Sequence, residues 1–110
     1  MESEPGKMDR IAGLKDILEL NPANSFARYG LAMELAGRGE TAEALAEFDT
    51  LLARDPSYTS GYFMAAQTLA TAGRTQEAII RLKSGIGFAE HSGNRHALSE
   101  MQAMLDELDR

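Results

Sequence analysis

Apolar residues recur along this chain at intervals of three and four, the spacing that places them on one face of an α-helix. The first such segment is 8–20, and its apolar stripe consists of Ile11, Leu14, Ile17 and Leu18. Asn21-Pro22 ends it, because the residue before a proline avoids the helical conformation. The same pattern predicts further helices at about 25–36, 41–54, 59–72, 75–91 and 95–108. The chain is therefore predicted to be all-α, with about six helices.

A 34-residue unit occurs twice. Asn21-Pro22 and Asp55-Pro56 lie 34 residues apart, and the residues that follow each of them match at that offset. The matched positions are Leu35 and Leu69, Gly39 and Gly73, Thr41-x-Glu43-Ala44 and Thr75-x-Glu77-Ala78, and Phe48 and Leu82. A period near 34 with two helices per unit is typical of stacked helix-turn-helix repeats. We predict a disordered lead (1–7) and one domain (8–108), comprising a half repeat (8–22), two repeats (23–56 and 57–92) and a capping helix (93–108).

Helix starts and internal glycines give a second set of expectations. Thr41 and Thr75 are predicted to cap the second helix of each repeat. Gly85 and Gly87 lie inside a predicted helix, where each costs about 1 kcal/mol relative to alanine. We expect a neighbouring helix to pass close to Gly85, whereas Gly87 has no such explanation.

The repeat resembles the tetratricopeptide repeat, whose pattern has Trp, Leu-Gly and Tyr on the first helix, Ala and Phe on the second, and a closing Pro. The first unit matches with Leu31, Leu35, Ala44, Phe48 and Pro56, but has Arg28 at the Trp position and Ala32 at the Gly position. The second matches with Tyr62, Leu69, Ala78 and Leu82, but has Ala66 for Gly and Glu90 for the closing Pro. The resemblance implies antiparallel helices stacked as a short right-handed superhelix, whose first helices line a concave groove that receives a peptide or another protein.

The first helix of each repeat is apolar on two sides. In the helix at 25–36, Leu31, Ala32 and Leu35 face the partner helix, and Phe26, Tyr29, Met33 and Gly37 form a second apolar stripe. Such a helix is either covered on both sides or exposes a binding surface, and exposed aromatic and Met-rich patches mark contact sites. We predict a partner-binding groove formed by Phe26, Tyr29, Met33, Phe63, Met64 and Gln67. The alternative is that the terminal helices cover these side chains.

From this predicted groove we infer a non-catalytic adaptor that buries apolar side chains of a peptide or another protein. The family that this chain resembles includes domains that clamp acidic tails with Lys, Arg and Asn. The first helices of the two repeats offer no cation except Arg28. The acidic-tail clamp is therefore predicted to be absent. The alternative function is a structural assembly subunit, or a self-associating scaffold without an exchangeable ligand.

The composition of the chain restricts the classes of partner and the cellular compartment that we expect. The chain has 110 residues, no cysteine and a net charge of −6. The lack of cysteine excludes disulfides and thiol chemistry and favours a reducing compartment, so we predict a cytoplasmic protein without a signal peptide. An acidic chain is a poor partner for nucleic acid and for anionic membrane surfaces. The uncharged run at 56–73 is polar in part and shorter than the roughly 20 apolar residues of a membrane span.

Candidate chemistry is sparse. His96 and Glu100 have the i, i+4 spacing of half a metal site, but three or four ligands are needed. Glu40, Glu43 and Glu47 form an acidic face, which we interpret as a solvated back, with a docking patch for a basic partner as the alternative. No serine, histidine and acid form a recognisable catalytic set. We predict no metal, no cofactor and no enzymatic activity, and a monomer with weak self-association at most.

Overall fold

A computed structural model describes the backbone of residues 5–110 and the side chains of residues 10–110. These residues form six α-helices: α1 (Pro5–Leu20), α2 (Ser25–Gly37), α3 (Thr41–Arg54), α4 (Thr59–Thr71), α5 (Thr75–Ser92) and α6 (Arg95–Leu108). The chain divides into two compact units after Arg54. Unit 1 holds α1 to α3 and unit 2 holds α4 to α6. The all-α prediction and the number of helices are confirmed.

The start of α1 differs from expectation. Helix α1 begins at Pro5, so that residues 5–7 of the predicted disordered lead are helical, while residues 1–4 lie outside the described residues. Proline is well suited to the first helical position, where its missing N–H has no helical partner anyway. Helix α5 extends to Ser92, within one residue of the predicted end, because Glu90 replaces the proline that would have ended it earlier.

The core of unit 1 lies between α2 and α3. Leu31 on α2 packs with the buried Phe48 and Leu51 of α3 in this core. Helix α1 packs on α2, and Leu18 is the one buried side chain among those described for α1. Ile17, which belongs to the predicted apolar stripe, is 44 % exposed. The described part of α1 therefore buries a narrower strip than its apolar pattern indicates.

The core of unit 2 is built around α5, which packs against both α4 and α6. Tyr62, Leu82 and Met101, one from each helix, are buried there. The close approach predicted at Gly85 is confirmed. A Cβ atom at this position would lie 2.5 Å from Tyr62 Cβ and 2.6 Å from Met101 Sδ. Glycine at this position therefore lets the two neighbouring helices pack closely on α5.

The turn inside each repeat has the same geometry in both units. Gly39 and Gly73 both adopt a φ of +80°, which glycine accepts without steric strain. The residue after each glycine donates its N–H to a leucine carbonyl at 2.9 Å, in the bond that closes a Schellman turn. That residue is also the N-cap: Arg74 precedes α5, and its carbonyl accepts the first helical hydrogen bond. Thr75 is thus the first helical residue and not the predicted cap, and Thr41 likewise opens α3.

Candidate partner-binding surfaces

One face of α2 carries the three predicted binding residues of unit 1. Leu31 and Leu35 are buried on the side of α2 that packs against α3. On the other side, Phe26 is 77 % exposed, and Tyr29 and Met33 are partly buried. Their spacing of three and four residues places them in a single stripe. Phe26 is therefore an exposed aromatic side chain on a helix that is anchored from its opposite side.

The corresponding surface of α4 in unit 2 is more polar. Phe63 and Met64 are partly buried, and Gln67 is exposed. Gln67 occupies the repeat position that Met33 occupies in unit 1. Helix α4 also buries more positions than any other described helix, as expected from its uncharged sequence. The six candidate residues thus form one surface on each unit, and their role in binding stays a prediction.

Arg28 of α2 is engaged within unit 1. Its guanidinium donates one hydrogen bond to Glu47 Oε1 at 2.8 Å and another to the carbonyl oxygen of Pro22 at 3.0 Å. Both charged side chains are partly buried, so this ion pair is less screened than an exposed one. Arg28 is the only cationic residue in the sequence of α2, and α4 has none. A ligand carboxylate would have to compete with Glu47 for this cation.

Tyr62 of α4 occupies the same repeat position in unit 2 and makes a similar contact. Its hydroxyl donates to the carbonyl oxygen of Pro56 at 2.8 Å. Its ring stacks on Phe88, with ring centroids 5.6 Å apart and planes inclined by 19°. Burial raises the pKa of the Tyr62 hydroxyl above its ordinary value of 10.0, and the Arg81 charge partly opposes this shift. In each repeat, a side chain of the first helix is therefore hydrogen-bonded to the proline turn that precedes this helix.

Comparisons with known proteins identify this architecture. No family model matches the chain. It is similar to the TPR repeat-containing protein PA0015 of Pseudomonas aeruginosa, with 27 % identity over 100 residues that span 91 % of this chain and 95 % of the relative. The solution NMR structure of a tetratricopeptide repeat domain protein from Salinibacter ruber is 32 % identical, covers 80 % of this chain and 89 % of its own, and superposes with a TM-score of 0.75. This chain belongs to the tetratricopeptide repeat family.

A further tetratricopeptide repeat structure is also similar. YrrB, described as a TPR protein with an unusual peptide-binding site, is 28 % identical over 74 % of this chain and 45 % of its own, with a TM-score of 0.64. Repeat proteins of this kind present extended surfaces to other proteins. The tetratricopeptide repeats of this chain accordingly form a protein-interaction module of a generally non-catalytic class.

The second helix of the second tetratricopeptide repeat exposes apolar side chains that the pattern of the sequence did not single out. On α5, Ile80 is 65 % exposed and Phe88 is 40 % exposed. An open hollow of about 440 Å³ lies beside Phe88 and is lined by Lys83, Ser84, Gly87, Phe88 and His91. A comparison at the 34-residue offset would have indicated this face, because the first tetratricopeptide repeat has Ala46 and Arg54 at the positions of Ile80 and Phe88.

The predicted acidic face of α3 is not uniform. Glu47 is partly buried against Arg28, so the interpretation of this residue as part of a solvated back is wrong. Glu40 and Glu43 are exposed and belong to a separate hollow of about 350 Å³ in unit 1. That hollow is lined by Ile11, Ala12, Lys15, Leu35, Arg38, Glu40 and Glu43. Because charges of both signs meet in it, this hollow is not the uniformly acidic patch that a basic partner would require.

The remaining polar pair of the sequence lies on α6. His96 Nε2 lies 3.6 Å from Glu100 Oε2, and both side chains are exposed. Within residues 10–110, no three side chains of the metal-binding types form a cluster. Among the helices described, none is both long and apolar enough to span a bilayer.

Proposed function

We propose that this tetratricopeptide repeat chain binds a peptide segment of another protein through the apolar faces of α2 and α4. The residues assigned to binding are Phe26, Tyr29, Met33, Phe63, Met64 and Gln67. The observation that carries the proposal is the 77 % exposure of Phe26 on a helix whose opposite side is fixed in the core of unit 1. An exposed aromatic side chain on a rigid helix can bury apolar area in a complex at little cost in conformational entropy.

The polarity of these faces determines the kind of ligand. Arg28 is held by Glu47, and α4 contains no charged residue, so neither face offers an uncommitted cation to a carboxylate. Recognition would depend on burial of apolar side chains of the ligand, supplemented by hydrogen bonds to Gln67. Binding of this kind depends only weakly on ionic strength. YrrB, with its peptide-binding site, is a related example of a tetratricopeptide repeat protein that binds peptides.

The proposal is tested by affinity capture from a lysate of the native organism, with the partner then quantified in solution. Phe26→Glu replaces the exposed ring by a charge, and Ala103→Glu at an exposed position of α6 is the matched control. Circular dichroism first establishes that both variants are as helical as the wild type. We expect Phe26→Glu to weaken binding about 30-fold, as for a central aromatic contact, and Ala103→Glu to bind like the wild type. Equal binding by all three proteins would contradict the role of α2.

Phe63→Glu tests the surface of α4 in the same assay. Because Phe63 is partly buried, its variant is compared with the wild type by denaturant unfolding before binding is measured. Loss of the partner with folding retained supports the α4 surface. Unfolding of the variant would assign Phe63 to the core of unit 2 and remove it from the binding surface.

Self-association is the second candidate function, and α1 favours it. Leu20 is 90 % exposed and Ile17 is 44 % exposed, so the end of α1 presents apolar area that another chain could cover. Sedimentation equilibrium across a range of concentrations separates the candidates. A constant monomer mass contradicts self-association, whereas a dimer that Leu20→Glu dissociates supports it. We expect a monomer in the cytoplasm, because a net charge of −6 opposes pairing of copies and a chain without cysteine suits a reducing compartment.

A further inference from the structure

Helix α6 has the sequence position of the first helix of a repeat. Its N-cap Asn94 accepts a hydrogen bond from the amide three residues later, as Asn24 does at the start of α2. Aligned from these caps, Leu105 occupies the position of Leu35 in α2 and of Leu69 in α4. Leu35 and Leu69 are buried, but Leu105 is only partly buried. In α2 this position faces the second helix of the repeat, and the described residues include no such helix after α6.

Helix α1 has the sequence position of the second helix of a repeat, and it shows the converse. At the 34-residue offset, Leu14 and Ile17 occupy the positions of Phe48 and Leu51 on α3. Phe48 and Leu51 are buried, whereas Leu14 is partly exposed and Ile17 is 44 % exposed. Helix α3 packs on α2, the first helix of its own repeat, and the described residues include no first helix before α1. The exposed apolar side of α1 is therefore the side that a first helix covers in a complete repeat.

The second repeat shows which residues meet when a first and a second helix pair. A Cβ atom at Gly85 would lie 2.5 Å from Tyr62 Cβ, and the ring of Phe88 stacks on that of Tyr62 with centroids 5.6 Å apart. Both contacts join α5 to α4, the first helix of the same repeat. The equivalents of Gly85 and Phe88 on α1, and of Tyr62 on α6, are Ile17, Leu20 and Leu98. All three equivalents are apolar, and Leu20 is 90 % exposed.

The ion pair of the first repeat has an uncharged counterpart in the same alignment. Arg28 and Glu47, which join α2 to α3 at 2.8 Å, correspond to Leu98 on α6 and Gly13 on α1. A Cβ atom at Gly13 would meet no atom within 4 Å, so a neighbouring leucine has room there. Pairing α6 with α1 would thus bury no charge at this position. Among the described side chains, the charged residues on or beside the two faces are Arg10 and Asp16 on α1 and Arg95, Asp106 and Asp109 on α6.

We propose that α6 of one copy packs against α1 of a second copy, so that the two helices complete a tetratricopeptide repeat between chains. Leu98 of one copy then lies against Ile17 and Leu20 of the other. Because the chain itself carries both uncovered faces, a second copy fits better than an unrelated partner. The contact is heterologous, since different surfaces of the two copies meet. This proposal specifies the self-association considered above and is independent of peptide binding by α2 and α4.

Sedimentation equilibrium of the full chain from about 10 µM to about 1 mM measures the association. Each copy carries a net charge of −6, so we expect a monomer in dilute solution, a rising mass at high concentration and tighter association in raised salt. Leu20→Glu and Leu98→Glu each place a charge on one of the two faces, and each is expected to weaken the association about tenfold or more. Ala103→Glu, at an exposed position of α6, should associate like the wild type.

A mixture of the two variants tests the polarity of the contact. Leu20→Glu retains the face of α6 and Leu98→Glu retains the face of α1, so an equimolar mixture is expected to form a heterodimer that neither variant forms alone. A contact between two α1 helices would be lost in Leu20→Glu, retained in Leu98→Glu and not restored by mixing. That pattern would overturn the proposal, and so would a constant monomer mass up to about 1 mM. Capture of another protein by α2 and α4 is a separate measurement, so either proposal can fail without the other.

Leu98 is partly buried, so urea unfolding first establishes that Leu98→Glu is folded. If it is not, isotopically labelled Leu20→Glu titrated with the unlabelled wild type decides the outcome, because its own α1 face is blocked and its α6 face is open. We expect amide shifts on α6 of the labelled variant and none on its α1. Shifts confined to α2 and α4, or no shifts at all, would contradict the pairing of α6 with α1.

Discussion

The two repeats achieve the same local structure with different side chains. Arg28 and Tyr62 occupy equivalent positions, and each donates a hydrogen bond to the carbonyl of the proline six residues earlier, at 3.0 Å and 2.8 Å. The family pattern has Trp at this position, which also carries an N–H donor. The comparison indicates that this position needs a long side chain ending in a donor, and that an indole ring is one of several solutions.

The exchange of Arg28 for Tyr62 is accompanied by a second change on the following helix. Position 85 in unit 2 is glycine, whereas the equivalent residue in unit 1 is the buried Leu51. The Tyr62 side chain lies directly over Gly85, so the aromatic ring and the glycine complement each other in size. Unit 1 combines a flexible arginine with a leucine instead. Tyr62 and Gly85 therefore form a size-matched pair in unit 2.

The largest effect is expected from Gly85→Ala. The new methyl group would lie 2.5 Å from Tyr62 Cβ and 2.6 Å from Met101 Sδ, so that α4 or α6 must shift. Overpacking of this kind costs about 1 to 3 kcal/mol, and we expect a loss near 3 kcal/mol in the free energy of unfolding. Equilibrium urea unfolding measures it.

Gly87→Ala is the matched control, two residues away on the same helix. A methyl group there meets no atom within 4 Å, so the higher helix propensity of alanine should stabilise the protein by about 0.5 to 1 kcal/mol. Equal stability of the two variants would mean that Tyr62 and Met101 are not packed on Gly85 in solution.

Arg28→Met should have the next largest effect. The variant keeps the length of the side chain but leaves the partly buried Glu47 carboxylate and the Pro22 carbonyl without their donor. Loss of a hydrogen-bonded charge at such a site costs about 1 to 2 kcal/mol of unfolding free energy. Urea unfolding at low and high salt measures the loss, with Arg54→Met, at an exposed position of α3, as the control. A variant as stable as the wild type would show that the bare carboxylate is well solvated.

The sequence predicted backbone features better than it predicted exposure. The spacing of apolar residues located all six helices, because helix periodicity is a local property of the chain. The exposure of Ile17 and Ile80 depends instead on which neighbours cover each helix, and the apolar pattern of one helix does not contain that information. The partial burial of Glu47 likewise follows from Arg28, a residue on another helix of unit 1.

Exposure was also the property of the candidate site that the sequence predicted least well. Two apolar sides on α2 predicted a surface at Phe26, and the structure leaves that ring exposed. The comparable pattern on α4 contains Gln67, and Phe63 is partly buried there. The hollow at Gly87 could not be predicted from one helix, because a glycine that makes room for a neighbour and one that leaves an open space look identical in a sequence.

A smaller effect is expected from Tyr62→Phe, which removes only the hydroxyl that bonds to Pro56. The expected loss is about 1 kcal/mol at neutral pH. Because the folded-state pKa of Tyr62 is raised, the hydroxyl ionises first in the unfolded chain as pH increases. Its contribution is complete below the ordinary pKa of 10.0 and declines above it. Unfolding experiments from about pH 8 to about pH 11 should show a smaller alkaline loss in Tyr62→Phe than in the wild type. Parallel losses would contradict the burial of this hydroxyl.

The smallest effect concerns the start of the second helix in each repeat. Arg74 donates two hydrogen bonds to Glu77, at 2.8 Å and 2.7 Å, whereas the equivalent positions of unit 1 are Glu40 and Glu43, which repel each other. These bonds lower the pKa of Glu77 below its ordinary value of 4.5. The resulting stabilisation is present above pH 4.5 and is lost as pH falls through the lowered pKa, and solvent screening keeps it small. An NMR titration of the Glu77 carboxyl should therefore give a higher pKa in Arg74→Gln than in the wild type. An unchanged pKa would show that the guanidinium and the carboxylate are apart in solution.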